Sequence, residues 1–200
     1  MHMHEKMDRS QFLRVGAAGA LATLAGTATA SQGPPLAPQG DDWGFLQWGA
    51  TAELVAIAFW DRALREPGLG ERTRSGLRAA RSADAAHLRH FSATLGEEVP
   101  TGDDFKVLLP KRAFKSRAGI LALGEEMKEI AVRVYLGGVM EALDPATRLL
   151  LGQLVVNETQ HIDSLRALSG KPGPSARLHD PLGLEPAGLW LDRFLRVRSS

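Results

Sequence analysis

The segment LLLGQLVVNETQHIDSLRAL, residues 149–168, indicates most clearly how this chain folds. Its apolar residues recur every three to four positions, which predicts a helix with one buried face. Glu158 and His161 lie within the apolar stripe and, being three positions apart, project from the same side of the helix. A buried carboxylate is costly without a partner. Two partners are open here: a metal ion held by Glu-x-x-His, or a hydrogen bond between Glu158 and His161 alone.

The composition limits what the protein can do. None of the 200 residues is cysteine, which excludes disulfides, thiolate metal sites and thiol catalysis. A formal net charge of +1 gives no support for binding to nucleic acid or to an anionic membrane surface. Abundant Ala, Leu, Arg and Glu favour a mainly helical protein, and the chain is long enough for one domain with a sizeable core.

Residues 1–30 are expected to be a secretory signal peptide. Arg9 and Arg14 precede a short, weakly apolar run, and a small-x-small site predicts cleavage after Ala30. The leader is similar to the twin-arginine export motif, except that Ser10 takes the place of the second arginine, which leaves the export route open. We therefore expect a location in the periplasm, the cell envelope or outside the cell. The apolar run is too short for a stable membrane span, and a helix without an export role is the alternative.

Four long helices are predicted after a linker at residues 31–42. The connection between the second and third helices is long, as it would be for a crossover between non-adjacent helices. A C-terminal extension, residues 171–200, is expected to contain a Gly/Pro-rich linker and a short amphipathic helix at 185–195. The four predicted helices span residues 43–65, 71–95, 116–143 and 145–168, within a bundle domain at 43–170.

The second and fourth helices share a pattern. Asp84-x-x-His87 in the second helix repeats the spacing and the apolar surroundings of Glu158-x-x-His161 in the fourth. Both pairs therefore lie on buried helix faces. The first and third helices match as well, and this match aligns Glu53 in the first helix with Lys128 in the third. The domain is thus predicted to contain two helical hairpins of one design.

This pattern resembles the ferritin-like four-helix bundle. The chain is most similar to one branch, the exported ferritin-like domain family that includes desiccation-related proteins. Three stretches carry this resemblance: the leader, the helix end at Leu95-Gly96 and the segment Val134-Tyr135-Leu136-Gly137-Gly138. The resemblance covers about residues 43–170. It implies an all-α fold, an up-down four-helix bundle with one long crossover, and a short C-terminal helix that packs back on the bundle.

The resemblance also implies a metal site in the bundle core. Ferritin-like sites take a carboxylate from each of two helices and Glu-x-x-His from each of the other two. Carried over one position at a time, the third-helix carboxylate falls on Lys128, which is not a ligand while protonated. The expected metal ligands are the remaining five: Glu53, Asp84, His87, Glu158 and His161.

Lys128 and Glu125 both lie close to the buried direction of the third helix, and helical periodicity does not separate them. The repeat favours Lys128, because this position matches Glu53 when the first and third helices are aligned. Glu125, one turn earlier, is the alternative that would restore a carboxylate to the site.

With Lys128 in place, the site would hold three carboxylates and one ammonium group instead of four carboxylates. Charge balance then favours a degenerate site that binds at most one divalent metal, Fe or Mn before Zn. A metal-free envelope or stress protein that kept only the scaffold is the alternative, and a complete di-iron oxidase is a third interpretation. The sequence does not decide whether the protein is an enzyme. It is compatible with a homo-oligomer formed through surface patches that periodicity does not reveal.

Overall fold

The computed structural model describes residues 42–171 and 179–197, and four long helices dominate this part of the chain. The helices are α1 (Asp42–Leu64), α2 (Glu71–Leu95), α3 (Arg117–Glu141) and α4 (Pro145–Leu168). Short connections join α1 to α2 and α3 to α4, and a long crossover joins the two hairpins. The predicted all-α, ferritin-like bundle is confirmed. The predicted signal peptide at 1–30 and most of the predicted linker lie outside the described residues.

Local chemistry fixes where the helices begin and end. The Ser116 hydroxyl accepts a hydrogen bond from the Gly119 N–H at 3.1 Å and so caps the start of α3. The Asp144 carboxylate accepts from the Thr147 N–H at 2.7 Å, and Pro145 occupies the first position of α4. Gly96 ends α2 with a φ of 60°, a conformation that glycine adopts without steric cost. Ser116, Asp144 and Gly96 thus fix three ends of the long helices.

Asp42 is the first residue of α1, although the sequence assigned it to the linker. Its side chain is completely buried, and its two carboxylate oxygens accept from the N–H groups of Leu143 and Asp144, each at 2.7 Å. Asp42 therefore ties the start of α1 to the α3–α4 connection. The helix thus begins one residue before its predicted start at residue 43, because these donors lie about a hundred positions away and leave no local pattern.

The C-terminal extension contains a short helix, α5 (Leu184–Asp192), and a strand, β2 (Leu195–Val197). This strand pairs antiparallel with β1 (Phe105–Val107), which lies in the crossover. The crossover begins with the 3₁₀ helix Gly96–Glu98 and ends with the 3₁₀ helix Lys111–Lys115. The prediction of a helix continuing to residue 195 was wrong. Residues 195–197 pair with the crossover instead, beside the buried Phe194, and a helical pattern does not reveal this pairing.

The C-terminal extension packs closely against α3 where Gly137 leaves room for its backbone. The Leu182 N–H donates to the Arg133 carbonyl at 2.8 Å, and a Cβ on Gly137 would lie 2.5 Å from the Leu182 carbonyl oxygen. A side chain at Gly137 would therefore displace the extension.

Within the described residues, no helix is long and apolar enough to cross a membrane. Large aromatic side chains fill the space between the helices and are fully buried: Phe45, Phe59, Trp60, Phe91 and Tyr135.

Candidate metal centre

Each of the four long helices contributes charged side chains to one cluster in the middle of the bundle. These side chains lie on the inner helix faces because their positions fall within the apolar stripes. Their exposed fractions are 5% or less, which is rare for ionisable residues unless they are paired. The cluster consists of Glu53 on α1, Asp84 and His87 on α2, Lys128 on α3, and Glu158 on α4.

Lys128 lies at the centre of this cluster. Its Nζ atom is 2.7 Å from Oδ1 of Asp84 and 2.9 Å from Oε2 of Glu158. It is also 3.8 Å from Oε2 of Glu53. Burial opposes the charge on Lys128, but the three carboxylates outweigh burial and raise the pKa of its ammonium group above the usual value. Lys128 is therefore a buried cation shared by three carboxylates from three helices.

His87 bridges two of the same carboxylates. Its Nδ1 atom is 3.3 Å from Oε1 of Glu53 and 3.3 Å from Oε1 of Glu158. Burial lowers the pKa of a histidine, but here the hydrogen bonds to Glu158 and Glu53 prevail and raise the pKa of His87 to about 10. The raised pKa favours the imidazolium form of His87, so two basic side chains face the three acidic side chains of the cluster.

The two glutamates of the cluster titrate differently. Burial raises the pKa of Glu53 to about 7, and the attraction of Lys128 offsets only part of this effect. Burial acts on Glu158 in the same sense, but Lys128 at close range and two histidines hold the pKa of Glu158 well below its usual value. Oε2 of Glu53 is buried and accepts no hydrogen bond from the part of the chain that the structure describes. Glu53 is therefore the least satisfied carboxylate of the cluster.

Two aromatic donors complete the cluster, and the sequence interpretation did not include them. The Trp60 indole N–H donates to Oδ2 of Asp84 at 2.6 Å, and the Tyr135 hydroxyl donates to Oε1 of Glu53 at 2.9 Å. The internal repeat carries a signal for both residues. Trp60 lies seven positions after Glu53, and Tyr135 lies seven positions after Lys128, so each donor occupies the same place in its hairpin.

His161 lies at the edge of the cluster, with 17% of its side chain exposed. Its Nδ1 atom is 3.1 Å from Oε2 of Glu158 and 3.8 Å from Oδ1 of Asp84, and its ring centroid is 6.0 Å from that of His87. Four of the five expected ligands, Glu53, Asp84, His87 and Glu158, offer donor atoms that all lie within 4.8 Å of one another. His161 contacts two of these carboxylates without belonging to that group.

Glu125 does not supply a carboxylate to the cluster. It is buried on α3, but its oxygens pair with Nη1 of Arg166 at 3.2 Å and with Nζ of Lys171 at 2.5 Å. Both cations belong to the C-terminal end of α4 and the residues just after it. Of the two third-helix candidates, the structure places Lys128, not Glu125, against Asp84 and Glu158.

The fold and the four-helix cluster agree with a comparison of the chain with protein-family models. The model of the ferritin-like domain matches residues 41–171, so the chain belongs to the ferritin-like domain family. No curated protein matches the sequence significantly. The buried cluster of carboxylates and a histidine is the part of the described chain that could hold a metal ion.

Proposed function

We propose that this protein is a degenerate ferritin-like metal-binding protein whose core site holds at most one divalent cation. The observation that carries the proposal is the position of Lys128, whose Nζ atom contacts carboxylates from three helices. An ammonium group in this position supplies positive charge where a second cation would otherwise be needed. Lys128 would therefore act as a permanent substitute for one metal of a two-metal centre.

The donors present fit one metal ion. Glu53, Asp84, His87 and Glu158 bring oxygen and imidazole nitrogen atoms together, a set that suits Fe, Mn or Zn. The buried Oε2 atom of Glu53 accepts no hydrogen bond from any described residue and so offers an available donor atom for a metal. His161, at the edge of the cluster, would be a fifth donor. A bound metal would supply Lewis-acid chemistry or, for Fe and Mn, redox chemistry.

The same donors do not fit two divalent cations. Three carboxylates and the Lys128 ammonium carry a formal charge of −2, and two divalent cations carry +4. Bringing an uncompensated charge into a buried site is costly. A single divalent cation balances the cluster, provided that His87 gives up its proton. The residues that bind metal would thus also release a proton, and binding is expected to depend on pH.

Equilibrium dialysis against Mn(II) tests this proposal. The variant Glu53→Gln keeps the size of the side chain but removes a charged donor, and it should abolish binding of a single Mn(II). The matched control is Glu126→Gln, on the same helix as Lys128 but with a side chain that is 46% exposed. Equal binding by wild type and Glu53→Gln would refute the assignment of these residues as ligands.

A second candidate function is a metal-free scaffold protein of the envelope or of a stress response. It is favoured by the dense hydrogen bonding of the cluster, since Asp84, Glu158 and Glu53 each accept from at least one buried donor. Such networks are stable when their members are satisfied. Dialysis distinguishes the two candidates, because the scaffold protein would bind no Mn(II) in wild type or variant.

We also propose that the protein is exported, as in the desiccation-related branch of ferritin-like proteins. The basic residues, apolar run and small-x-small site of residues 1–30 support this proposal. Expression of the full chain in a bacterium, followed by fractionation and mass spectrometry, tests it. An N-terminus beginning at Ser31 in the exported fraction is expected. An uncleaved chain confined to the cytoplasm would contradict it.

A further inference from the structure

A groove of about 600 Å³ lies between the C-terminal half of α1 and the crossover, apart from the metal centre. The crossover wall of the groove is held in place because β1 pairs with β2 and the Leu108 N–H donates to the Phe194 carbonyl at 2.7 Å. The crossover wall of the groove is therefore fixed by backbone hydrogen bonds. Its apolar surface is formed by Ala58, Val107, Leu109 and Phe114.

Three cationic side chains, Arg62, Arg65 and Lys111, line the same groove, and no acidic residue of the described chain does. Arg62 is already engaged, since its Nη2 atom is 2.7 Å from Oε1 of Glu66 and its guanidinium lies 5.4 Å from the centroid of the Phe114 ring. Within residues 42–171 and 179–197, the side chains of Arg65 and Lys111 have no hydrogen bond or ion pair. The groove thus combines an apolar surface with two unpaired positive charges.

We propose that this groove binds an amphipathic carboxylate, a small molecule with one acid group and an apolar tail, such as a medium-chain fatty acid. Arg65 and Lys111 would pair with the carboxylate, and the guanidinium group of Arg65 suits the planar acid group. The tail would cover Val107, Leu109 and Phe114. The volume lies within the range of roughly 300–1,000 Å³ that is usual for small-molecule sites.

Other ligand classes fit this groove less well. A neutral apolar molecule would leave both cations without a partner, and a small inorganic anion would leave the apolar surface exposed to water. Burial of the tail adds a favourable contribution for each CH₂ group, which a small anion does not provide. Charge complementarity and the apolar surface together therefore select a ligand that has both features.

Isothermal titration of the full chain with decanoate, below its micelle-forming concentration, tests the proposal. Acetate carries the same charge without the tail, and decyltrimethylammonium carries a similar tail with the opposite charge. We expect saturable binding of decanoate and binding of both other ligands that is weaker by about tenfold or more. Absence of decanoate binding, or equally tight binding of decyltrimethylammonium, would overturn the proposal.

A charge-reversal pair locates the binding site. The double variant Arg65→Glu/Lys111→Glu should weaken decanoate binding by roughly tenfold, since it removes both ion pairs with the acid group and adds repulsion. The control Arg72→Glu/Arg89→Glu makes the same change of net charge at exposed positions of α2 outside the groove, and binding should be unchanged. Equal weakening in both double variants would show a nonspecific charge effect and overturn the proposal. Lys111→Glu alone repeats the test if the double variant does not fold.

The acid group and the tail could come from a free fatty acid or from an anionic lipid, and vesicles distinguish these sources. If anionic phosphatidylglycerol vesicles and decanoate both lose binding in Arg65→Glu/Lys111→Glu, the groove also takes the acyl chain of an anionic lipid. If wild type binds decanoate but not the vesicles, the ligand is the free acid. Binding to vesicles without any binding of decanoate would indicate a membrane-surface patch and overturn the proposal.

Discussion

Replacing Lys128 by glutamate removes the ammonium group that lies 2.7 Å from Asp84 and 2.9 Å from Glu158. The formal charge of the three carboxylates and this side chain changes from −2 to −4, which equals the charge needed to balance two divalent cations. If the scaffold is merely one ligand short, Lys128→Glu should therefore raise the metal content above that of the wild type.

The same substitution should destabilise the metal-free protein. Removing one member of a buried ion pair costs about 3–5 kcal/mol, because the remaining charges are left uncompensated. Here three carboxylates lose their shared cation and gain a like charge nearby. For a domain of this size the cost corresponds to a decrease in Tm of roughly 6–20 °C. Mn(II) should recover most of this loss, since a ligand that binds only the folded state raises its stability.

Two measurements on matched variants check this prediction: metal per chain by elemental mass spectrometry, and Tm with and without Mn(II). The control is Lys128→Met, which removes the ammonium group without adding a ligand. We expect a similar loss of Tm in Lys128→Met, but no rise in metal content above one per chain. If Lys128→Glu binds no more metal than wild type and its Tm does not respond to Mn(II), the neighbouring side chains are not placed as ligands.

Four further predictions concern pH, a hydrogen-bond donor of the cluster and the buried Asp42 at the start of α1. Metal affinity should fall about tenfold per pH unit below the pKa of His87, which is about 10, because the imidazolium must lose its proton; Mn(II) titrations at several pH values measure this. Metal-free protein should lose stability as pH rises, since the pKa of Glu53 is raised from 4.5 to about 7. The raised pKa of Glu53 stabilises the folded protein below the pKa of the unfolded state, and this stabilisation is lost as pH rises through the pKa of the folded state. The loss amounts to roughly 3 kcal/mol in the free energy of unfolding, which urea unfolding at several pH values measures. Tyr135→Phe should lower the free energy of unfolding by about 1–3 kcal/mol, because Glu53 loses a donor. Asp42→Ala should cost about 2–4 kcal/mol by leaving two N–H groups unpaired, and Asp42→Asn, which keeps one acceptor, should cost less in the same assay.

Local patterns in the sequence were sufficient for most of the fold. Helix α2 has the predicted bounds, because apolar periodicity and a glycine at its end agree there. The three-residue spacing of Asp84 and His87 places both on the inner face, as predicted. The repeat also identified Lys128 as the third-helix residue that faces Asp84, which periodicity alone did not separate from Glu125.

The remaining features depend on contacts between distant segments. The pairing of Glu125 with Arg166 and Lys171 requires that the start of α3 lies beside the end of α4. The strand β2 forms only because β1 is available in the crossover. In both cases the deciding partner lies more than forty positions away in the chain, so neither propensity nor periodicity identifies it.

Elemental analysis of the wild-type protein measures directly how many metal ions the cluster around Lys128 holds. The protein would be purified without chelator and analysed before and after loading with Fe(II) and with Mn(II). Because Lys128 occupies the centre of the cluster, we expect a metal content that approaches one per chain after loading and does not exceed it. Background levels in every sample would favour the metal-free scaffold. Two tightly held metals per chain would contradict the proposal that Lys128 limits the site to one divalent cation.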